Sequence, residues 1–184
     1  MGVKHLTMDE LNAGLEQIRQ SPADGGVLQL IVRRPAKSER ELLEEGQLDL
    51  AVGLVGDNWA TRGASATPKR TPNPDTQLTI MNARAAQLIA GSRERWALAG
   101  DQLYIDLDLG PANLSAGTRL AIGSALVEVT PEPHTGCKQF VGHFGMEAMT
   151  FVNSPEGRRL CLRGINTRVV EAGTIRLGDV VTKR

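Results

Sequence analysis

The sequence predicts a mainly β fold with peripheral helices, arranged as a small closed or partly closed β-barrel. Apolar and polar side chains alternate with a period of two from Leu103 to Leu109, and the alternation resumes from Leu120 to Val129. The 20 glycines and nine prolines allow many turns between short strands, as is typical of small barrels. The 184 residues suffice for one domain with a hydrophobic core but not for two ordinary domains.

The first part of the chain predicts a helix, a strand and a second helix. Thr7 and Glu10 have the spacing of a capping box, which begins an amphipathic helix that ends near residue 20. The apolar run 27–32 predicts a strand. Capping-box spacing recurs in the segment 38–43, which therefore predicts a second short helix.

Short strands and turns are expected through the rest of the chain. Asn82 can cap a helix over 83–89, and Gly123-Ser124 has the composition of a hairpin turn. The polar segments 53–63 and 64–76 are expected to be loops. Further short strands are predicted at 78–81, 160–162, 167–170 and 180–182.

Composition and length set the domain organisation and exclude several kinds of partner. We expect an N-terminal helix and linker over residues 1–26 and a single domain over 27–184. Lys plus Arg equals Asp plus Glu at 21 each, so the basic excess of a nucleic-acid binder is missing. No apolar run approaches the roughly 20 residues of a membrane span, and the N-terminus lacks the apolar core of a signal peptide. We therefore expect a cytoplasmic protein without a nucleic-acid or membrane partner.

The segment 131–140 is the most informative for chemistry. Two prolines end the preceding strand there, and Cys137 falls at or near the start of a helix. Unpaired N–H groups at a helix start favour a thiolate, Lys138 adds a positive charge, and His134 is placed to orient or share a proton. Cys137 and His134 are therefore the candidate catalytic residues.

Other interpretations of these residues stay open on the sequence alone. A single cysteine is more often a small buried apolar residue than a reactive group. A zinc site at His134, Cys137 and His143 lacks a fourth ligand. Cys161 lies within an apolar pattern, which favours a structural role. The chain has no nucleophile elbow, no phosphate-binding loop and no dinucleotide fingerprint.

Three glycine-punctuated segments resemble the MOSC domain, the C-terminal domain of molybdenum-cofactor sulfurases. Gly53-Leu54-Val55-Gly56-Asp57 is similar to an early turn of that family. Gly100-Asp101-Gln102-Leu103 is similar to its "G-E-N-L" strand, and the run from Val127 to Cys137 is similar to its strand leading to a cysteine. The tail, with Arg163-Gly164, Arg168-Val169 and Gly178-Asp179, resembles the closing pattern of the family. His134-Thr135-Gly136 replaces the commoner proline-rich approach to the cysteine.

The resemblance covers roughly residues 27 to 184 and implies a fold, a cofactor and a role for the cysteine. The implied fold is a barrel like the β-barrel domain of pyruvate kinase, and the implied cofactor is molybdenum cofactor (molybdopterin). Cys137 would then carry sulfur or ligate molybdenum. Pyridoxal phosphate belongs to a separate domain of full sulfurases and is not expected to bind here.

Molybdopterin carries a phosphate or a nucleotide diphosphate, so a site for it needs cationic donors. The candidates in or near the family-like segments are Arg62, Lys138, Arg163 and Arg168, although a solvated surface charge is an equal alternative for each arginine. The leading hypothesis is a stand-alone MOSC protein that binds the cofactor or carries its sulfur, with a sulfur donor or redox partner protein. The alternatives are a molybdenum-dependent reductase of N-hydroxylated compounds that uses an external electron donor, and a non-catalytic binding module.

Overall fold

A seven-stranded β-barrel is the centre of the fold. The computed structural model describes residues 5–62 and 70–184. The strands are β1 (Gly26–Arg33), β2 (Glu41–Leu43), β3 (Glu45–Asp49), β4 (Gly53–Leu54), β5 (Leu78–Asn82), β6 (Leu103–Asp106), β7 (Arg119–Ile122), β8 (Ala125–Val129), β9 (Ile165–Glu171), β10 (Gly173–Arg176) and β11 (Val180–Lys183). The mainly β barrel predicted from the alternating segments is confirmed.

The barrel closes because its last strand returns to its first. The order around the barrel is β11-β7-β8-β9-β5-β6-β1, and β1 pairs back to β11 with Gly26 opposite Val181. Within the barrel only β5 and β6 run parallel. β2 extends the sheet beside β1, and β10, β3 and β4 form a small second sheet. Apolar side chains that alternate along the strands fill the interior, among them Leu120, Ile122 and Val127.

Five α-helices in the described part of the chain pack around the barrel. They are α1 (Met8–Ala13), α2 (Leu15–Arg19), α3 (Ala83–Ala90), α4 (Lys138–Asn153) and α5 (Pro155–Arg159). Their apolar faces form a second core against the outside of the barrel, with Tyr104, Phe140 and Phe151 at its centre. No helix among residues 5–62 and 70–184 has both the length and the apolar character needed to cross a membrane.

Several local expectations are confirmed. Thr7 and Glu10 form the capping box at the start of α1. The Asn82 side chain accepts a hydrogen bond from the Ala85 N–H and so caps α3. The hairpin turn at Gly123-Ser124 joins β7 to β8. The expected loop over 64–76 lies partly outside the described residues, which resume at residue 70.

Two predicted elements are wrong. The segment 38–43 does not form a helix, since Ser38 has a φ of 67° and Leu42 and Leu43 pair with β1 as strand β2. The predicted strand 160–162 is the turn that follows α5. Ser154 caps that helix by accepting from the Gly157 N–H, so the capping signal outweighed the apolar spacing.

Two boundaries and one set of strands also differ from the expectation. The single N-terminal helix is divided at Gly14, whose Cα lies against the Leu88 side chain, so a β-carbon would collide there. Strand β6 ends at Asp106, although Leu107 and Leu109 stay buried in the barrel. The strands β3 and β10 of the small sheet were not predicted. The segment 53–63, expected to be a loop, instead begins with strand β4 and contains a short 3₁₀ helix at Trp59–Thr61.

Candidate functional site

Loops from distant parts of the chain enclose a cleft of about 870 Å³ beside the barrel. This volume lies within the range of small-molecule sites, roughly 300–1,000 Å³. The residues that line the cleft are drawn from the segments 34–40, 58–62, 72–79, 98–100, 133–139 and 163–166. Of the family-like segments, the cleft therefore includes Gly100, the approach to Cys137 and Arg163, whereas no residue from Gly53 to Asp57 lines it.

Cys137 lies at the edge of this cleft with its side chain exposed. It is the N-cap residue of α4, with an extended backbone (φ −117°, ψ 172°), and its thiol does not cap the helix. A β-carbon on Gly136 would meet the sulfur end of the Met149 side chain, so a larger residue there would require that flexible side chain to move. The thiol is therefore held at a helix start and is free to contact a ligand.

A buried ion pair supports one wall of the cleft. The Arg34 guanidinium donates to both carboxylate oxygens of Asp57 at 2.8 Å, and the Asp57 side chain is fully buried. Asp57 also accepts from the backbone N–H of Arg34 and of Trp59. Arg34 donates further to the Gly100 carbonyl at 2.7 Å. This pair fastens the loop that follows β4 to the end of β1 and to the chain before β6.

The remaining cations of this wall have no carboxylate partner among the described residues. Arg40 donates to the carbonyls of Ala97 and Glu39, and Arg62 donates to the Asn58 side chain at 3.3 Å. Loss of hydration and the nearby charge of Arg34 lower the pKa of both arginines from its usual range. Arg62 also lies close enough to Cys137 for the two side chains to interact electrostatically. Crowded cations of this kind favour an anionic ligand.

A second buried carboxylate, Asp101, contacts two residues that line the cleft, His134 and Arg163. One of its oxygens accepts from Arg163 Nη1 at 2.6 Å, and the other lies 2.7 Å from His134 Nε2. Arg163 also donates to the Ala99 carbonyl, and its guanidinium lies 5.1 Å above the Phe140 ring. Its Nε is buried and has no hydrogen-bond partner among the described residues. We refer to Asp101, His134 and Arg163 as the Asp101 cluster.

Burial and the charge of Arg163 determine the protonation states of Asp101 and His134. Burial by itself would raise the pKa of Asp101, but the charges of Arg163 and His134 lower it to about 2, so the carboxylate is ionised. Burial lowers the pKa of His134 below 6.5, and Arg163 lowers it further against the opposing effect of Asp101. His134 is therefore neutral near neutral pH, and its Nε2–H donates to Asp101.

The structure brings four of the six predicted site residues to the cleft and leaves two outside it. Cys137, His134, Arg62 and Arg163 line the cleft, whereas Lys138 and Arg168 do not. The exposed Arg168 forms ion pairs with Asp75 and Glu128 at 3.2 and 2.7 Å. Sequence spacing could not distinguish it from Arg163, because the two differ only in which neighbours the fold supplies.

Three residues of the site were missed as functional candidates. Arg34 and Arg40 follow the strand β1 and line the cleft. The available signal was the adjacent pair Arg33-Arg34 at the end of that apolar strand. Asp101 was noted only as part of a family-like strand, and its side chain is completely buried beside the cleft. No group of three or more His, Cys, Asp or Glu side chains that could hold a metal ion occurs in the described part of the chain.

Comparison with known proteins gives the fold. No family model matches the sequence, and no curated protein does. Among solved structures, YuaD from Bacillus subtilis matches with a TM-score of 0.56 and 16% identity, over 86% of this chain and 95% of that one. The fold is MOSC-like.

Two further solved structures share this fold. YiiM from Geobacillus stearothermophilus matches with a TM-score of 0.60 and 13% identity, over 86% of this chain and 75% of that one. YiiM from Escherichia coli matches with a TM-score of 0.54 and 19% identity, over 86% and 69% of the two chains. At these identities the likeness concerns the fold alone.

Proposed function

We propose that this protein binds molybdenum cofactor in the cleft, with Cys137 as the sulfur ligand or sulfur carrier. The observation that supports it is the combination of an exposed thiol on the N-cap residue of α4 with the crowded cations Arg40 and Arg62 in one cleft. YuaD and YiiM, which share the fold, are MOSC-domain proteins. A sulfur carrier would use the same exposed thiol.

The residues present fit such a cofactor. A thiolate is a soft ligand suited to a metal such as molybdenum. Arg40 and Arg62 have donors left for a phosphate, since their own partners are carbonyl and amide oxygens. When bound, the cofactor would supply a metal centre that accepts and releases electrons. The chain would contribute the thiol, the cationic wall, and the buried Arg34–Asp57 pair that fixes that wall.

The decisive experiment is metal and pterin analysis of the protein purified from a host that makes molybdenum cofactor. We expect molybdenum and pterin in the wild type and in Cys161→Ser, and neither in Cys137→Ser with an unchanged circular dichroism spectrum. Wild-type protein free of both would refute the proposal and favour a binding module for another ligand.

A matched pair of arginine variants tests whether positive charge in the cleft retains the cofactor. Arg62→Ala should lose cofactor more readily than the wild type, and the loss should grow with ionic strength because the contact is electrostatic. Arg168→Ala removes the same charge outside the cleft and should retain the cofactor. Equal loss from both variants would contradict the assignment of the cleft.

Reduction of N-hydroxylated compounds is a second candidate, favoured by the Asp101–His134 pair in the same cleft as the thiol. Conversion of R–NHOH to R–NH₂ and water consumes two electrons and two protons, so a protein group that handles protons suits it. Turnover of an N-hydroxylated base by the loaded protein, with a reduced dye as electron donor, tests this activity. Loaded protein without turnover would leave binding or sulfur transfer as the function.

A further inference from the structure

We infer that His134 is the proton acceptor of the cleft and that Asp101 is its positioning residue. The inference rests on the proposed function, because it assigns a destination to the proton that the Cys137 thiol releases when its sulfur forms a bond. It begins from the geometry of the Asp101 cluster.

Asp101 is held so that one of its carboxylate oxygens accepts a hydrogen bond from His134. Its carboxylate is buried, and Arg163 occupies one oxygen at 2.6 Å, which leaves the other for the imidazole at 2.7 Å. An ionised carboxylate can only accept, so the proton of a neutral imidazole must be on Nε2. This tautomer leaves the lone pair on Nδ1, which has no hydrogen-bond partner among the described residues.

The neutral imidazole is also the form present near neutral pH. Burial and three charged groups act on it: burial, Arg163 and Arg34 lower the pKa of His134, and Asp101 raises it. A group that is neutral at neutral pH and has a free lone pair is ready to accept a proton. Once Nδ1 has accepted one, the imidazolium faces the Asp101 carboxylate, which stabilises the new charge.

His134 and Cys137 line the same cleft and are separated by only two residues of non-helical chain. When the Cys137 sulfur forms a bond to a metal ion or to an electrophilic carbon, the S–H bond breaks and its proton passes to His134 Nδ1, directly or through water in the cleft. With iodoacetamide, the S–C bond forms, the C–I bond breaks and iodide leaves. The proton released by the thiol then remains on His134, which is an imidazolium.

The tautomer is tested first, by nitrogen-15 NMR of the imidazole rings of the metal-free protein, which has three histidines. We expect a protonated Nε2 and an unprotonated Nδ1 for His134 near neutral pH. In Asp101→Asn, Arg163 retains the amide oxygen, so the amide nitrogen faces the imidazole and donates to Nε2. The proton should then move to Nδ1. A wild-type ring protonated on Nδ1 would overturn the inference.

Proton acceptance is tested by the pH profile of Cys137 alkylation with iodoacetamide, again without metal. His134→Gln keeps an N–H donor for Asp101 but cannot accept a proton, so alkylation near neutral pH should slow by at least about tenfold. Asp101→Asn should slow it similarly, and in both variants the profile should move to higher pH. The matched control is His143→Gln, on α4 but outside the cleft, which should behave like the wild type.

Unchanged profiles in both variants would contradict the inference even if the tautomer is as expected. The outcome is independent of cofactor loading. If the alkylation profiles are unchanged and the purified protein contains molybdenum, this inference fails and the proposed function stands. If the profiles change as expected and the protein contains no molybdenum, only the proposed function is refuted.

Discussion

The two cysteines show how surroundings decide the reactivity of one residue type. Cys137 is exposed at the start of α4, whereas Cys161 is half-buried and its thiol is directed to the Arg158 carbonyl at 3.7 Å. Burial raises the pKa of Cys161, and the Asp108 carboxylate raises it further.

Iodoacetamide near neutral pH should therefore modify Cys137 faster than Cys161, by on the order of tenfold or more. The reason is that Cys161 is less accessible and that its surroundings raise its pKa. Mass spectrometry of peptides at successive times would measure the two rates under native conditions. Faster labelling of Cys161 would contradict the site, and equal labelling in denaturant serves as the control.

A second residue-scale prediction concerns the Arg34–Asp57 pair. Asp57→Ala leaves the buried Arg34 charge uncompensated, and removal of one partner of a buried pair costs about 3–5 kcal/mol. Urea unfolding should show this loss. The matched control is Arg119→Ala, which breaks an exposed pair with Glu128 and should change the free energy of unfolding little. Equal effects would show that the Asp57 pair does not support the cleft wall.

The Asp101 cluster makes stability depend on pH. The folded-state pKa of His134 lies below 6.5, so the unfolded chain binds more protons as the pH falls, and stability decreases from about pH 6.5 downward. Asp101, with its pKa near 2 rather than 3.8, adds a contribution that is present above 3.8 and is lost as the pH falls toward 2.

Urea unfolding at about pH 8 and about pH 5 should therefore show lower stability at the lower pH, and the difference should be smaller in His134→Gln. An identical difference in the variant would mean that another group titrates. His143→Gln serves as the comparison, since that ring lies outside the Asp101 cluster.

At the scale of the element, α4 contains two glycines with opposite requirements. Gly145 has φ 89° and ψ 170°, a conformation that breaks the helix and that essentially only glycine adopts, and a β-carbon there would meet His5. Gly142 lies in the helical part before it, with open space around its Cα.

Gly145→Ala should destabilise the protein by about 1–3 kcal/mol, whereas Gly142→Ala should stabilise it by roughly 0.5–1 kcal/mol. Thermal unfolding of the two variants measures both effects within one helix. Destabilisation by Gly142→Ala as well would indicate that this face of α4 contacts a partner or another segment.

At the scale of the whole molecule, the closed barrel predicts which segments unfold locally and which unfold only with the whole protein. The strands β8 and β9 lie within the barrel and pair on both edges, whereas α2 is a five-residue helix on the outside. Hydrogen exchange of amides in β8 and β9 should require global unfolding, while amides of α2 should exchange through local opening. Exchange of β8 as fast as that of α2 would contradict closure of the barrel.

The sequence by itself determined the alternation of the strands, several helix ends and the placement of Cys137, because each depends on neighbours a few residues away. Strand alternation placed Leu120 and Val127 inside the barrel, and capping residues such as Thr7 and Asn82 began helices as expected. Where two local signals competed, as in the segments 38–43 and 160–162, pairing with β1 or the Ser154 cap decided the outcome.

Only the tertiary structure decided which charged residues form the cleft. Arg163 and Arg168 are five positions apart and equivalent by sequence, yet one is buried against Asp101 and the other is exposed beside Glu128. The interaction of a charge depends on which other charges lie within a few ångströms and on how much water remains around it. Those neighbours come from loops far apart in the chain, so no local pattern could supply them.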